Sequence, residues 1–249
     1  MRRAYRDGDF SVGIRDADFQ VIPTAWVLAA EARWKPDGAH GLSMTAMALD
    51  PAGGGRDSAE LARRHGGWYA ELISAKGQET ADGSATAAMV VRYRLDNAPV
   101  IVDVGGGYGG GVTIRLKDNG IEPVSFVASW ESIEKTKDGR LAFANKRAEV
   151  WCKFREALDP DQPDGSAIAL PPDPELRADL CAPTWKLGAR GILLESKDGS
   201  SGFGNLRQRL GRSPGKGDAV VMAWPEGNAA AVSRHNARKW ERPRHRWIV

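Results

Sequence analysis

The 249-residue sequence predicts an α/β fold whose mixed sheet starts as a three-strand antiparallel meander and continues with parallel strands. Three observations point there. SMTAMALD and PVIVDV are apolar runs bounded by turn residues, the pattern of buried strands, and each ends in an aspartate followed by glycines. Between them, SAELARRHGGWYAELISAKG carries a hairpin signal at Gly66 and Gly67. Helical spacing in DGSATAAMVVRYRLDN then separates the meander from the PVIVDV strand.

In order along the chain, residues 1–40 read as an attached, linker-like segment. Its one amphipathic helix, TAWVLAAEARW, starts at Pro23 and Thr24 and stops before Pro36. A main domain over residues 41–228 follows. After the meander, Asp82 or Ser84 caps the DGSATAAMVVRYRLDN helix. TIRLKDNG reads as a helix closed by Gly120, and EPVSFVAS as a short strand reached by a parallel crossover. FANKRAEVWCKFREALDP is the clearest helix, with Ala148, Trp151, Cys152, Arg155 and Leu158 on one stripe and Asp159-Pro160 at its end; Trp151 and Trp185 are read as core. PPDPELRADLCAP reads as a shorter helix, TWKLGARGILLES as a hairpin around Gly188 to Gly191, and NLRQRLGR and GDAVVMAW as closing helices. Residues 229–249 form a basic C-terminal tail in which Arg234, Arg238, Lys239, Arg242, Arg244 and Arg246 alternate with aromatic residues. That pattern suits either a polyanionic partner or a solvated tail.

Composition narrows the class. With 42% apolar and 27% charged residues the chain is globular, and a net charge of +3 is compatible with a polyanion without requiring one. Cys152 and Cys181 lack the spacing of a zinc site or a disulfide framework, which fits a reducing cytosol. No apolar run is long enough to span a bilayer, and MRRAYRDGDF is not a signal peptide, so the expectation is a cytoplasmic protein with no membrane partner.

Two phosphate-binding signatures fail on inspection. Gly105, Gly107 and Gly110 have G-x-G-x-x-G spacing, but no early strand-helix-strand unit precedes them and no acid ends the next strand to hold a ribose. GRSPGKGD at 211–218 is one residue short of a P-loop and has Gly217 where a hydroxyl must bind Mg²⁺, so no ATPase motif is present. No nucleotide cofactor is implied. The acids carry more information. Asp50 and Asp103 end two buried strands, each before a glycine-rich turn that leaves the carboxylate approachable. Two such carboxylates side by side repel unless a cation lies between them, and hard oxygen donors suit Mg²⁺ or Mn²⁺. Asp218 opens an apolar helix and is a third candidate, or an ordinary first-turn acid favoured by the helix dipole. His40, His65, His235 and His245 are scattered and form no rival general-base arrangement.

Read in order, ALDPAGGGRDSAELARRHGGWYAEL, VIVDVGGGYGGGV, FANKRAEVWCKFREALDP, ALPPDPELRADLCAPTW, ESKDG and RLGRSPGKGDAVVMAW resemble the nuclease domain of phage and prophage terminase large subunits. The closing LGRSPxKxDAVVMA string is the most specific part, and GDFSVGIRDADFQVIPTAWVLAAEARW resembles the segment that follows the ATPase domain in that family. The resemblance implies a ribonuclease H-like sheet with helices on both faces. It also implies a metal-dependent endonuclease that cuts double-stranded viral DNA concatemers in the bacterial host cytosol. Portal protein, small terminase subunit and an ATPase domain are the implied partners. It assigns Asp50, Asp103 and Asp218 as catalytic acids on two Mg²⁺ or Mn²⁺ ions, with Asp57 as an assisting metal acid. DNA holding falls to Lys197, Arg207, Arg209, Arg212 and Lys216, with Lys197 and Arg209 the first choices; solvated helix-face charge is the alternative for each. The glycine-rich KDGSSGFGN, Gly215 and Gly217 depart from the family pattern. Two other readings stay open: a resolvase- or transposase-like nuclease of the same fold, and a non-catalytic remnant that docks on portal or DNA.

Overall fold

The computed structural model describes residues 16–200 and 202–224. The basic tail and the first residues of the N-terminal segment lie outside that range. Among the described residues a six-stranded sheet is built from β1 (Ala46–Asp50), β2 (Ser58–His65), β3 (Trp68–Tyr69), β4 (Ile73–Lys76), β5 (Val100–Asp103) and β6 (Val124–Phe126). Its order is β3-β2-β1-β5-β6, with β4 also pairing to β2. β1, β2 and the β3/β4 pair form the expected antiparallel meander, whereas β5 and β6 add in parallel. The returning strand of the meander is broken. Tyr69 pairs with Arg64 but Ile73 with Leu61, so the return carries one extra residue, the signature of a bulge. A separate hairpin, β7 (Trp185–Gly188) with β8 (Gly191–Leu194), stands where the sequence expects one.

Seven α-helices surround the sheet among the described residues: α1 (Thr24–Arg33), α2 (Ser84–Tyr93), α3 (Gly109–Asp118), α4 (Lys146–Leu158), α5 (Pro174–Cys181), α6 (Leu206–Leu210) and α7 (Gly215–Met222). Asn145 caps α4 by accepting the Ala148 N–H, and Asp173 caps α5 by accepting from Glu175 and Leu176. α3 begins at Gly109, before the expected TIRLKDNG segment, because a run of glycines offers no apolar periodicity to read.

The strand period of two divides the core. Ala46 and Ala48 of β1, with Ile101 of β5, face a layer holding Val27 of α1, Trp151 and Phe154 of α4, Leu176 of α5 and Val220 of α7. Met47, Leu49, Val100 and Val102 face the opposite layer, with Val90 of α2 and Leu116 of α3. Helices therefore cover both faces, and the segment expected as attached places α1, with Val21 and Ile22 before it, inside the first layer. The consequence for the site is direct: Asp50 continues the row of Ala46 and Ala48, and Asp103 continues that of Ile101. Both carboxylates leave the sheet on the side of α7. No helix among the described residues is long and apolar enough to cross a membrane.

Candidate active site

β1 and β5 run parallel with Leu49 paired to Val102, so Asp50 and Asp103 end neighbouring strands one step further along. Asp218 comes to them from the first turns of α7, its N–H donating to the Pro214 carbonyl. A cation already stands at their focus. Lys197 follows β8, and its Nζ lies 2.8 Å from Asp218 Oδ2 and 4.0 Å from Asp50 Oδ2.

Burial sets the electrostatics. It pushes the Asp50 carboxyl from the ordinary 3.8 up to about 7 against the pull of Lys197, with Asp218, Asp103 and Glu60 adding repulsion. Asp103 is also raised by burial, offset by the Gly105 N–H that donates to its Oδ1 at 2.8 Å. Burial alone would depress the Lys197 ammonium, but Asp218 and Asp50 outweigh it and hold the group protonated above the usual lysine range.

The approach of α7 to the sheet depends on its two glycines. A Cβ on Gly215 would lie 3.1 Å from Glu60 Cγ and 3.2 Å from Asp50 Oδ2, and one on Gly217 would lie 2.9 Å from Asp179 Cβ. The absence of a side chain at both positions thus lets α7 bring Asp218 beside the strand-end acids. Around this contact are groups the sequence reading missed. Glu60 pairs directly across from Asp50 in the β1–β2 ladder, is 5% exposed, and is pushed up to about 7 by burial against a hydrogen bond from Ser74. Asp179 is fully buried, accepts the Gly217 N–H and pairs with Arg212; burial lifts it to about 7 as well. Trp151 donates its indole N–H to Asp218 Oδ1 at 3.1 Å, and Arg147 Nε lies 3.9 Å from the same oxygen. Glu60 was legible once the hairpin fixed its face; Trp151 had no polar signal, since its stripe reads as core.

The structure brings together Asp50, Asp103, Asp218 and Lys197 and engages the other candidates with different partners. The Asp57 carboxylate is engaged by Arg207 and the Ser213 N–H. Arg209 holds the buried Glu195, donating from Nε at 3.0 Å, and also donates to the Ala182 carbonyl. Arg212 pairs with Glu175 as well as Asp179, and Lys216 lies 2.7 Å from Asp173 and 2.9 Å from Glu175. All five cations expected on DNA phosphates therefore have carboxylate partners. For Arg209, Arg212 and Lys216 the partners come from α5, its N-cap Asp173 and the β8–α6 connection, which face the basic α6–α7 segment, whereas Lys197 and Arg207 are met by Asp218, Asp50 and Asp57.

Among the described residues, no group of three or more His, Cys, Asp or Glu side chains is already arranged to hold a metal ion. The donor chemistry nevertheless fits one: oxygen-only ligands, two of them raised by burial, around a point that already draws a positive charge. Asp50, Asp103 and Asp218 are the residues that could hold it, with Lys197 standing in for its charge.

No family model matches the chain, and no curated protein does. Among solved structures, the chain is similar to the nuclease domain of the large terminase subunit gp2 of bacterial virus Sf6, with a TM-score of 0.62 at 20% identity over 82% of this chain and 97% of that one. A lysine-to-alanine mutant of that domain is similar with a TM-score of 0.61 when solved with calcium and 0.58 when solved with manganese, at the same identity and coverage. The fold is that of terminase large-subunit nuclease domains, a ribonuclease H-like mixed sheet.

Proposed function

We propose that the chain is a divalent-metal-dependent endonuclease that hydrolyses double-stranded DNA, working on viral concatemers during genome packaging. The observation that carries the reading is the convergence of Asp50, Asp103 and Asp218, from two adjacent strands and a helix, on one positively charged focus. Its support from outside the chain is a shared fold with a nuclease domain that has been solved with manganese.

In this mechanism Asp50, Asp103 and Asp218 would hold a pair of Mg²⁺ or Mn²⁺ ions. When bound, such ions lower the pKa of an attacking water and neutralise charge on the scissile phosphate and the leaving 3′ oxygen. Asp103, at the end of β5, would contribute a carboxylate beside Asp50, with the Gly105 N–H fixing its Oδ1. Lys197, which pairs with Asp218 Oδ2 here, would contribute an ammonium able to meet a phosphate oxygen. Arg207, Arg209, Arg212 and Lys216 reach DNA only by sharing the carboxylates that hold them. Asp57 assists from the turn after β1. Site selection falls to partners outside this domain: an ATPase domain, the small terminase subunit and portal protein, in the host cytosol.

A second reading, a non-catalytic module that docks on DNA or portal, draws on the lysine that fills the focus of the acids. One assay separates the two. Supercoiled plasmid incubated with the protein and Mn²⁺ or Mg²⁺ should pass to nicked and linear forms, and EDTA should stop it. Intact plasmid under both ions would remove the catalytic reading and leave the docking module.

A further inference from the structure

We propose that Trp151, backed by Arg147 one turn earlier on α4, is a positioning residue that decides which oxygen of Asp218 is offered to a cation. The inference rests on reading Asp50, Asp103 and Asp218 as the metal-holding acids.

Trp151 is fully buried, so its indole N–H needs a partner inside the protein, and that partner is Asp218 Oδ1 at 3.1 Å. Arg147 is buried beside it, its guanidinium 5.8 Å from the indole ring centroid and its Nε 3.9 Å from the same Oδ1. The Glu195 carbonyl accepts from Arg147 Nη1 at 2.6 Å, while Nε and Nη2 make no hydrogen bond. The indole N–H as a hydrogen-bond donor and the guanidinium as a nearby charge thus address one side of the carboxylate. The other oxygen, Oδ2, faces Lys197 at 2.8 Å.

This division has a chemical consequence. The terminal torsion of an aspartate is soft and settles wherever hydrogen bonds hold it. Here the rigid indole engages Oδ1, so Oδ2, which faces Lys197, is the oxygen that Asp218 would offer first to a cation. Repacking does not easily relieve the constraint, because Trp151 Cη2 lies 3.2 Å from where a Cβ on Gly217 would stand, with α7 closed against it. Outer partners of this kind orient a metal ligand before the metal arrives, and losing one typically weakens metal binding about 10- to 100-fold. A tryptophan present only to fill the core would need its ring and not its N–H.

The test separates ring from N–H. Benzothienylalanine placed at position 151 keeps the ring shape but has sulfur in place of the N–H, and Trp151→Phe is the simpler companion. Mn²⁺ affinity is read by isothermal titration calorimetry on the whole chain, with urea unfolding as the control for folding. The expected result is Mn²⁺ binding about 10- to 100-fold weaker for the sulfur analogue with its urea midpoint kept. Wild-type affinity in the analogue overturns the proposal even if Trp151→Phe is unstable. Absence of Mn²⁺ binding in the wild type, or binding that Asp218→Asn leaves unchanged, overturns the metal reading and this inference with it.

Discussion

Replacing Asp50 with asparagine should stabilise the metal-free protein at alkaline pH and leave it unchanged in acid. Asp50 is largely buried, its side chain 13% exposed, and its carboxyl is raised from 3.8 to about 7 in the fold. At about 1.4 kcal/mol per pH unit, ionising it in the native state costs up to about 4 kcal/mol. Well below pH 3.8 both folded and unfolded chains hold the proton and nothing is lost. Between pH 4 and 7 the unfolded chain releases the proton while the native one keeps it, so stability falls as pH rises, and above 7 the full penalty is present. The amide escapes this penalty but gives Lys197 no counter-charge, so we expect a Tm about 4–8 °C above wild type at pH 8, which is about 2 kcal/mol for a domain of this size. The gap should shrink to near zero by about pH 3. Thermal denaturation in EDTA across this range is the assay, and wild type is the baseline that absorbs the parallel titrations of Glu60 and Asp179. A difference that stays flat from pH 4 to 8, or an asparagine variant less stable at pH 8, would refute the reasoning.

Lys197→Ala removes the only cation within 4.0 Å of Asp50 among the described ion pairs, so it should lower stability in EDTA and enlarge the thermal shift that Mn²⁺ produces; an unchanged Mn²⁺ shift would show that the lysine does not occupy the metal's place. Arg209→Ala leaves the buried Glu195 without its guanidinium and should cost about 1–3 kcal/mol in urea unfolding, whereas a residue used only on DNA would change DNA affinity and leave the urea midpoint alone. Gly217→Val should cost about 1–3 kcal/mol by forcing α7 off Asp179 and Trp151, and a wild-type urea midpoint would show that the contact yields freely.

Much of the site was visible in the sequence because its acids sit where a pattern breaks: an apolar strand that ends in aspartate and then glycine is unusual, and it occurs twice, at Asp50 and Asp103. The meander and its crossover followed from the same periodicity. What escaped depends on long-range pairing. Glu60 lies in SAELARRH, whose charges look solvent-facing until the ladder sets it against Asp50. The partner of Arg207 lies 150 residues away, and a sequence shows a cation without showing which carboxylate it meets. Lys197 sits in a polar, glycine-rich stretch with no periodicity, so nothing local aims it at Asp218. The break between β3 and β4 was hidden because a single extra residue leaves both halves with strand character.

The most direct measurement is single-turnover cleavage of an end-labelled linear duplex in Mn²⁺ by wild type, Asp103→Asn and Asp218→Asn, with matched urea midpoints as the control for folding. Cleavage by wild type, and a loss of at least about 100-fold in each variant, is the expected result for acids that stabilise the reacting centre. Cutting at the wild-type rate by either folded variant would contradict the assignment of that acid to the chemistry.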